Sequence, residues 1–138
     1  EALKSLIDVT APHIGDDFLK VICFELKKLF ETDLVFISNA IDHNPTTQVE
    51  ILYSTSSQTP QRFELKDSPC ELVYKNKLII IDENIKLLFE KSKETDFESY
   101  FGIPLLNNKQ YCIGHISIFS NKKRILTTES LNKLQLSD

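Results

Sequence analysis

Two apolar runs separated by four polar residues constrain the fold of this chain more than any other stretch. The first run covers residues 99–106 and the second covers residues 111–119, with Asn107-Asn108-Lys109-Gln110 between them. Asparagine adopts positive φ more readily than most residues, which suits it to tight turns. The pattern therefore predicts a β-hairpin, in whose turn Asn107 and Asn108 can take positive φ.

The rest of the chain alternates between the periods of helices and strands. Apolar residues at helical spacing predict a helix that begins at Asp16 or Asp17 and ends near Glu31. Pro69 suits the first turn of a second helix, which would include Cys70 and Tyr74. Strands are predicted at residues 34–41, 48–53, 62–65 and 78–81. A short helix and a mobile segment are predicted within residues 84–98, and a terminal helix is predicted from residue 127. The continuous apolar run at 78–81 is typical of a buried strand.

This order of elements predicts an α+β domain around a central antiparallel sheet. We expect the domain to span residues 16–138 and a connecting segment to span residues 1–15, where Leu3, Leu6 and Ile7 have helical spacing. The chain begins without methionine and ends within a helical pattern. We therefore expect it to be part of a larger multidomain protein.

Composition excludes several classes of protein. A length of 138 residues fits one domain, and a net charge of −4 argues against a protein that binds nucleic acid through a basic face. No apolar run is long enough to span a membrane. The three cysteines, Cys23, Cys70 and Cys112, are odd in number and form no Cys-x-x-Cys pair. This usage indicates reduced thiols in a cytoplasmic protein.

The hairpin sequence Ser99-Tyr100-Phe101-Gly102-Ile103-Pro104-Leu105, followed by a polar turn and Ile113-Gly114, resembles the last hairpin of GAF domains. Ser68-Pro69-Cys70-Glu71-Leu72-Val73 resembles a motif of one bacterial GAF subgroup. The resemblance implies a GAF-like sheet of five or six strands. The terminal helices would pack on one face of that sheet, with short helices and loops over the other. A PAS domain is the nearest alternative.

GAF domains are mainly sensory modules, so the resemblance implies a regulatory domain of a bacterial signalling protein that binds a small molecule. It also implies a homodimer formed through the terminal helices and an output domain in the same protein, such as a PAS, diguanylate cyclase, histidine kinase or DNA-binding domain. The Asn-Lys…Phe…Asp-Glu pattern of cyclic-nucleotide-binding members is incomplete here, because only Asn76-Lys77 is present. No metal or nucleotide motif identifies a cofactor, and we expect no enzymatic activity.

Candidate ligand-binding residues follow from alternation and from the resemblance. In the second hairpin strand, His115 should share one face with Tyr111, Ile113, Ser117 and Phe119. The resemblance places a ligand between this sheet and the 68–98 region. The candidates are Phe36, Tyr53, Cys70, Glu71, Tyr74, Phe89, Tyr100, His115 and Ser117. For His115 and the aromatic residues, ordinary core packing is the alternative interpretation.

Two other functions stay open at this point. In the first function, the domain is a structural module whose pocket is filled by its own side chains. It would then dimerise through Leu3, Leu6, Ile7, Leu131 and Leu134. In the second, it is a thiol enzyme or redox sensor. Cys70 would lie in the first turn of a helix, where the helix dipole lowers the pKa of a thiol. The alternative for Cys70 is a small buried residue.

Overall fold

The computed structural model describes residues 16–136, with side chains from 17 to 133. The helices are α1 (Asp16–Phe30), α2 (Cys70–Val73), α3 (Ile85–Leu88) and α4 (Thr128–Leu136), and a 3₁₀ turn spans Glu90–Ser92. The strands are β1 (Leu34–Ala40), β2 (Gln48–Ser54), β3 (Arg62–Glu64), β4 (Ile79–Ile81), β5 (Ser99–Leu106) and β6 (Cys112–Ser120). Each lies within a few residues of the range predicted from sequence periodicity.

All six strands form one antiparallel sheet in the order β3-β2-β1-β6-β5-β4. The hairpin of β5 and β6 supplies one half of the sheet, and β6 then pairs with β1 across its centre. The predicted α+β class, with a central antiparallel sheet of five or six strands, is confirmed.

Each face of the sheet has its own hydrophobic core. On one face, the apolar stripe of α1 packs on inward residues of β1 and β6, and Ile125, which precedes α4, joins this cluster. On the other face, α2 and α3 contribute Cys70, Val73 and Ile85 to a second cluster with Phe36, Tyr100 and Phe119. We call these the α1 cluster and the α2 cluster. Apolar side chains on both faces are thus taken out of contact with water, which is the main driving force of folding.

A β-bulge changes which side chains of β2 face each cluster. Ile37 pairs with Tyr53, but the next residue of β1, Ser38, pairs with Ile51, so Leu52 is the extra residue. As a result Ile51 belongs to the α2 cluster, whereas Tyr53 packs against the α1 cluster and contacts Phe24 with ring centroids 6.4 Å apart.

The turn between β5 and β6 uses the side chain of Asn107. Positive φ occurs at Gln110 (68°), and neither Asn107 nor Asn108 adopts it. Asn107 acts through its side chain instead, because its Oδ1 accepts hydrogen bonds from the backbone N–H groups of Lys109 (2.9 Å) and Tyr111 (3.0 Å). The turn thus uses Asn107 through an Asx-type side-chain bond and not through the positive φ that its backbone could take.

Strand β4 is not the buried strand predicted from its apolar run. It lies at one edge of the sheet, where its pairing within the described part of the chain is limited to Tyr100, Phe101 and Gly102 of β5. Leu78 is 51% exposed and Ile80 is 48% exposed. A run of consecutive apolar residues does not distinguish a central strand from an edge strand, which explains the error.

Several predictions concern residues outside those described. They are the connecting segment 1–15 with Leu3, Leu6 and Ile7, and the contacts of the Leu134 side chain. Among the described residues, no helix has both the length and the apolar character needed to cross a membrane.

Gly102 lies where α2 approaches the sheet most closely. A Cβ atom at this position would lie 2.5 Å from Val73 Cγ2 and 2.6 Å from the Tyr100 hydroxyl. We predict that Gly102→Ala lowers the free energy of unfolding by about 1–3 kcal/mol, because α2 must move away from the sheet. Urea unfolding monitored by circular dichroism measures this.

Val73 supplies a control for that substitution. The double variant Gly102→Ala/Val73→Ala should lose less stability than the sum of the two single variants, because the alanine at 73 removes the clashing methyl group. Strictly additive losses would show that contact with α2 is not the cause.

Candidate functional site

The centre of the α2 cluster is polar. His115 on β6 is fully buried, and its Nδ1 hydrogen-bonds the hydroxyl of Ser38 on β1 and that of Tyr74, 2.8 Å away, just after α2. The Ser38 and Tyr74 hydroxyls are themselves 3.3 Å apart. Two central strands and the covering helix therefore meet at one imidazole nitrogen. We call Ser38, Tyr74 and His115 the imidazole triad.

The other ring nitrogen of His115 is different. Among the described residues, Nε2 has no hydrogen-bond partner although it is buried. Its surroundings include Phe36, whose ring meets the imidazole edge-on with centroids 5.8 Å apart. Most buried polar groups in proteins have a hydrogen-bond partner. Nε2 is an exception, a buried hydrogen-bonding group that the described residues leave unused.

A second polar group lies beside the triad on the same sheet face. The Tyr100 hydroxyl is 2.9 Å from the Ser117 hydroxyl and donates a hydrogen bond to Cys70 Sγ at 3.4 Å. Ser117 Oγ and Cys70 Sγ are 3.2 Å apart. All three residues are buried, so the hydrogen bonds among them replace those that the three groups would make to water.

Burial keeps these groups in their uncharged forms. It lowers the pKa of His115 to about 3, so the imidazole is neutral at pH 7. Burial likewise raises the pKa of the Cys70 thiol and of the Tyr74 and Tyr100 hydroxyls. The polar centre therefore contains hydroxyl, thiol and imidazole groups and no charge.

A surface cleft of about 1220 Å³ adjoins this centre. Its walls are the β1–β2 turn (residues 43–47), the connection from β3 to α2, the end of α2 and the β5–β6 turn. Tyr74 belongs both to the cleft wall and to the imidazole triad, so its side chain separates the cleft from His115. The charged residues of the cleft carry both signs and are exposed: Glu64, Lys66, Asp67, Glu71 and Lys75.

The structure brings together most of the side chains predicted for the site. Cys70, Tyr74, Tyr100, His115 and Ser117 form the two polar groups. Phe36 and Phe89 belong to the surrounding α2 cluster, and Glu71 lines the cleft with an exposed side chain. Tyr53 is not part of the site, because the bulge in β2 directs it to the α1 cluster.

The alternation predicted for β6 holds for part of the strand. Ser117 and Phe119 share the face of His115, whereas Tyr111 precedes β6 and is 65% exposed. The register shifts at Leu105/Leu106, so that Leu106 pairs with Cys112 and Leu105 pairs with Gly114. Ile113 is the extra residue of this bulge and lines the cleft.

Of the two interpretations of Cys70, the structure agrees with the small buried residue and not with a thiol whose pKa is lowered by a helix dipole. Helix α2 has only four residues, Cys70 is 1% exposed, and burial outweighs the hydrogen bonds from Ser117, Tyr100 and Ser68. Burial disfavours the thiolate, which is the reactive form of cysteine. Cys70 is thus a packed residue with a hydrogen-bonded thiol.

Sequence reasoning missed Ser38 and the cleft. Ser38 alternates with Phe36 along β1, so its place on the same face was available from periodicity. The cleft joins four separate segments, and no local pattern brings these together. Within the described residues, no group of three or more His, Cys, Asp or Glu side chains is placed to hold a metal ion.

Comparison with protein-family models and with curated protein sequences finds no match. Solved structures do match. The GAF domain of a phosphoenolpyruvate-protein phosphotransferase from Coxiella burnetii aligns with a TM-score of 0.69 and 14% identity, covering 98% of this chain and 86% of the other. The corresponding domain from Acinetobacter gives 0.67 and 11%, covering 99% and 85%. Free methionine-R-sulfoxide reductase from Neisseria meningitidis, solved with its substrate, gives 0.70 and 16%, covering 99% and 82%.

These alignments cover nearly the whole chain, and two of the three structures are described as GAF domains. The fold of this chain is therefore the GAF fold, as its hairpin sequence suggested. Because the sequences are 11–16% identical, the likeness extends to the fold alone.

The buried imidazole predicts a specific dependence of stability on pH. The unfolded chain takes up a proton at His115 near pH 6.5, whereas the folded chain does so only near pH 3. Between these values the unfolded state binds more protons, so stability falls as pH falls. The contribution of this residue is about 1.4 kcal/mol per pH unit. Urea unfolding at pH 7 and pH 5 should show this loss in the wild type.

Variants separate this effect from the titration of carboxylates. His115→Gln should lose less stability than the wild type between pH 7 and pH 5, whereas His43→Gln, at an exposed position, should follow the wild type. Parallel pH dependences in the wild type and His115→Gln would contradict the assignment.

Proposed function

We propose that this chain is a regulatory GAF domain that binds a small molecule between the sheet and α2. The observation that carries the proposal is the imidazole triad, a buried polar group with one nitrogen that has no partner among the described residues. Its Tyr74 also lines a surface cleft. Ligand sites in proteins typically combine an apolar lining with a few converging polar groups. The α2 cluster has this composition.

The position of the site supports a regulatory role. Strands β1 and β6 carry Ser38 and His115 on one face and Val35, Ile37, Ile116 and Ile118 on the other, where α1 packs. A shift of these strands on ligand binding would therefore reach α1. Helix α4 packs against the same helix, and its Lys133 forms an ion pair at 4.0 Å with Glu31, the residue that follows α1.

We further propose that the terminal helices pass this shift to an output domain of a bacterial cytoplasmic signalling protein. The ligand changes the balance of two helix arrangements only if it binds one of them more tightly than the other. In this proposal the domain binds and relays, and does not catalyse a reaction. The buried Cys70 supports that choice, because its thiolate is disfavoured.

A structural role is the second candidate. Val21 and Phe24 on α1 and Leu131 on α4 are 56%, 41% and 45% exposed, which favours contact with another protein surface. In this case the α2 cluster is a filled core, and the domain serves as a homodimerisation module through its end helices.

Native mass spectrometry of the protein purified from cells tests ligand binding. We expect an extra mass of small-molecule size that is lost on denaturation, reduced in His115→Gln and retained in Lys123→Gln, an exposed residue outside the site. A clean unliganded mass in the wild type, together with no thermal shift across a broad metabolite panel, would contradict the proposal. Reduction of free methionine sulfoxide that disappears in Cys70→Ser would replace it with an enzymatic function.

Light scattering distinguishes the structural role. If α1 forms a dimer contact, Phe24→Ser should convert a dimer to a monomer, because it removes an exposed aromatic side chain from that contact. Lys109→Ser at the hairpin tip should leave the mass unchanged. A monomeric wild type would count against dimerisation.

A further inference from the structure

We propose that this site accepts the uncharged, hydrogen-bonding end of its ligand, which takes the place of the Tyr74 hydroxyl at His115 and Ser38. The ligand enters from the cleft, and Tyr74 is the side chain that must move. This inference rests on the proposed function and names the chemistry of the group that the same site binds. Alcohols, primary amides and neutral nitrogen heterocycles belong to this class.

The position of Tyr74 makes it the movable part of the triad. It follows the last residue of α2 and is half-buried, with one side in the cleft wall. Its hydroxyl has two partners, Ser38 and His115, and its ring meets the imidazole edge-on at 5.0 Å. Rotation of the side chain breaks these contacts but no backbone hydrogen bond of the sheet.

The bonds that Tyr74 would leave define what can replace it. Imidazole and serine hydroxyl groups can each donate or accept a hydrogen bond, depending on tautomer and rotation. A hydroxyl or amide group at this point can therefore satisfy Nδ1 of His115 and Oγ of Ser38 together. The unpartnered Nε2 adds further hydrogen-bonding capacity on the same ring.

The buried site should exclude charged groups of a ligand. Its polar side chains are Ser38, Cys70, Tyr74, Tyr100, His115 and Ser117. The serine hydroxyls carry no charge, and burial favours the neutral forms of the other four. A carboxylate, phosphate or ammonium group placed among them would have no counter-ion, and an unpaired buried charge is strongly unfavourable. The charged residues lie at the exposed cleft, where Glu71 and Lys75 offer both signs. Any charge on the ligand should stay there.

Three probes of nearly equal shape test this selection: benzamide is neutral, benzoate is an anion and benzamidinium is a cation at pH 7. We follow the His115 ring nitrogens by ¹⁵N NMR in the wild type and in Tyr74→Ala, which opens the path from the cleft. Benzamide should shift these resonances in both proteins and bind Tyr74→Ala more tightly. In each protein it should bind at least about tenfold more tightly than either charged probe.

Matched variants keep the test decisive. Tyr53→Phe removes the hydroxyl of a half-buried tyrosine that packs against the α1 cluster, outside the site, and should respond as the wild type does. If Tyr74→Ala does not fold, Tyr74→Phe serves instead. It retains the ring but no longer competes for His115 and Ser38, so it should bind benzamide more tightly than the wild type. Equal or tighter binding of a charged probe would overturn the inference. So would unmoved His115 resonances in the wild type at the solubility limit of benzamide.

Failure of this inference is distinguishable from failure of the proposed function. A co-purified ligand that places a charged group against His115 would overturn the inference and leave the regulatory binding function standing. Conversely, selective binding of benzamide at His115 in a protein that carries no cellular ligand would support the chemistry of the site and remove the support for its biological use.

Discussion

Strand β6 is buried on both faces and pairs with β1 on one side and β5 on the other. One face presents Ile116 and Ile118 to α1, whereas the other presents His115 and Ser117 to α2. A polar row at the centre of a sheet requires hydrogen-bonding partners from whatever covers it. Tyr74 and Cys70 supply them, so the side chains carried by α2 are matched to this strand. The domain thus has a mainly apolar core under α1 and a core with a polar centre under α2, separated by one layer of backbone.

The parts of the fold that sequence predicts well are those fixed by local periodicity. Helix α1 and the β5–β6 hairpin have long regular patterns, and their bounds follow from them. The bulge at Leu52 could not be predicted, because its cause is the register between β1 and β2 rather than either sequence alone. Strand β4 was misjudged for a related reason. Its apolar run is strong, but only the strand order places it at an edge.

The same difference between local periodicity and contacts of distant segments applies to the site. His115 and Ser117 followed from alternation along β6, and the resemblance to GAF domains placed Tyr74 and Cys70 opposite them. For Cys70 the sequence allowed a buried residue or a reactive thiol. The structure selects the buried residue, because in a short helix with a buried first residue desolvation outweighs the helix dipole. The cleft depends on four segments that are distant in sequence. The structural similarity to a methionine sulfoxide reductase and to GAF domains of phosphotransferases shows the fold in which these residues meet. It does not show their function.

The short pairing of β4 has a consequence for aggregation. Beyond Gly102, β5 continues for four residues to Leu106, and no described strand pairs with its outer side there. An open edge of this kind invites strands of other molecules. Pro104 lies in the middle of this stretch and carries no N–H group, so it offers an incoming strand no donor. The proline of the hairpin motif thereby leaves this unpaired stretch with one backbone donor fewer.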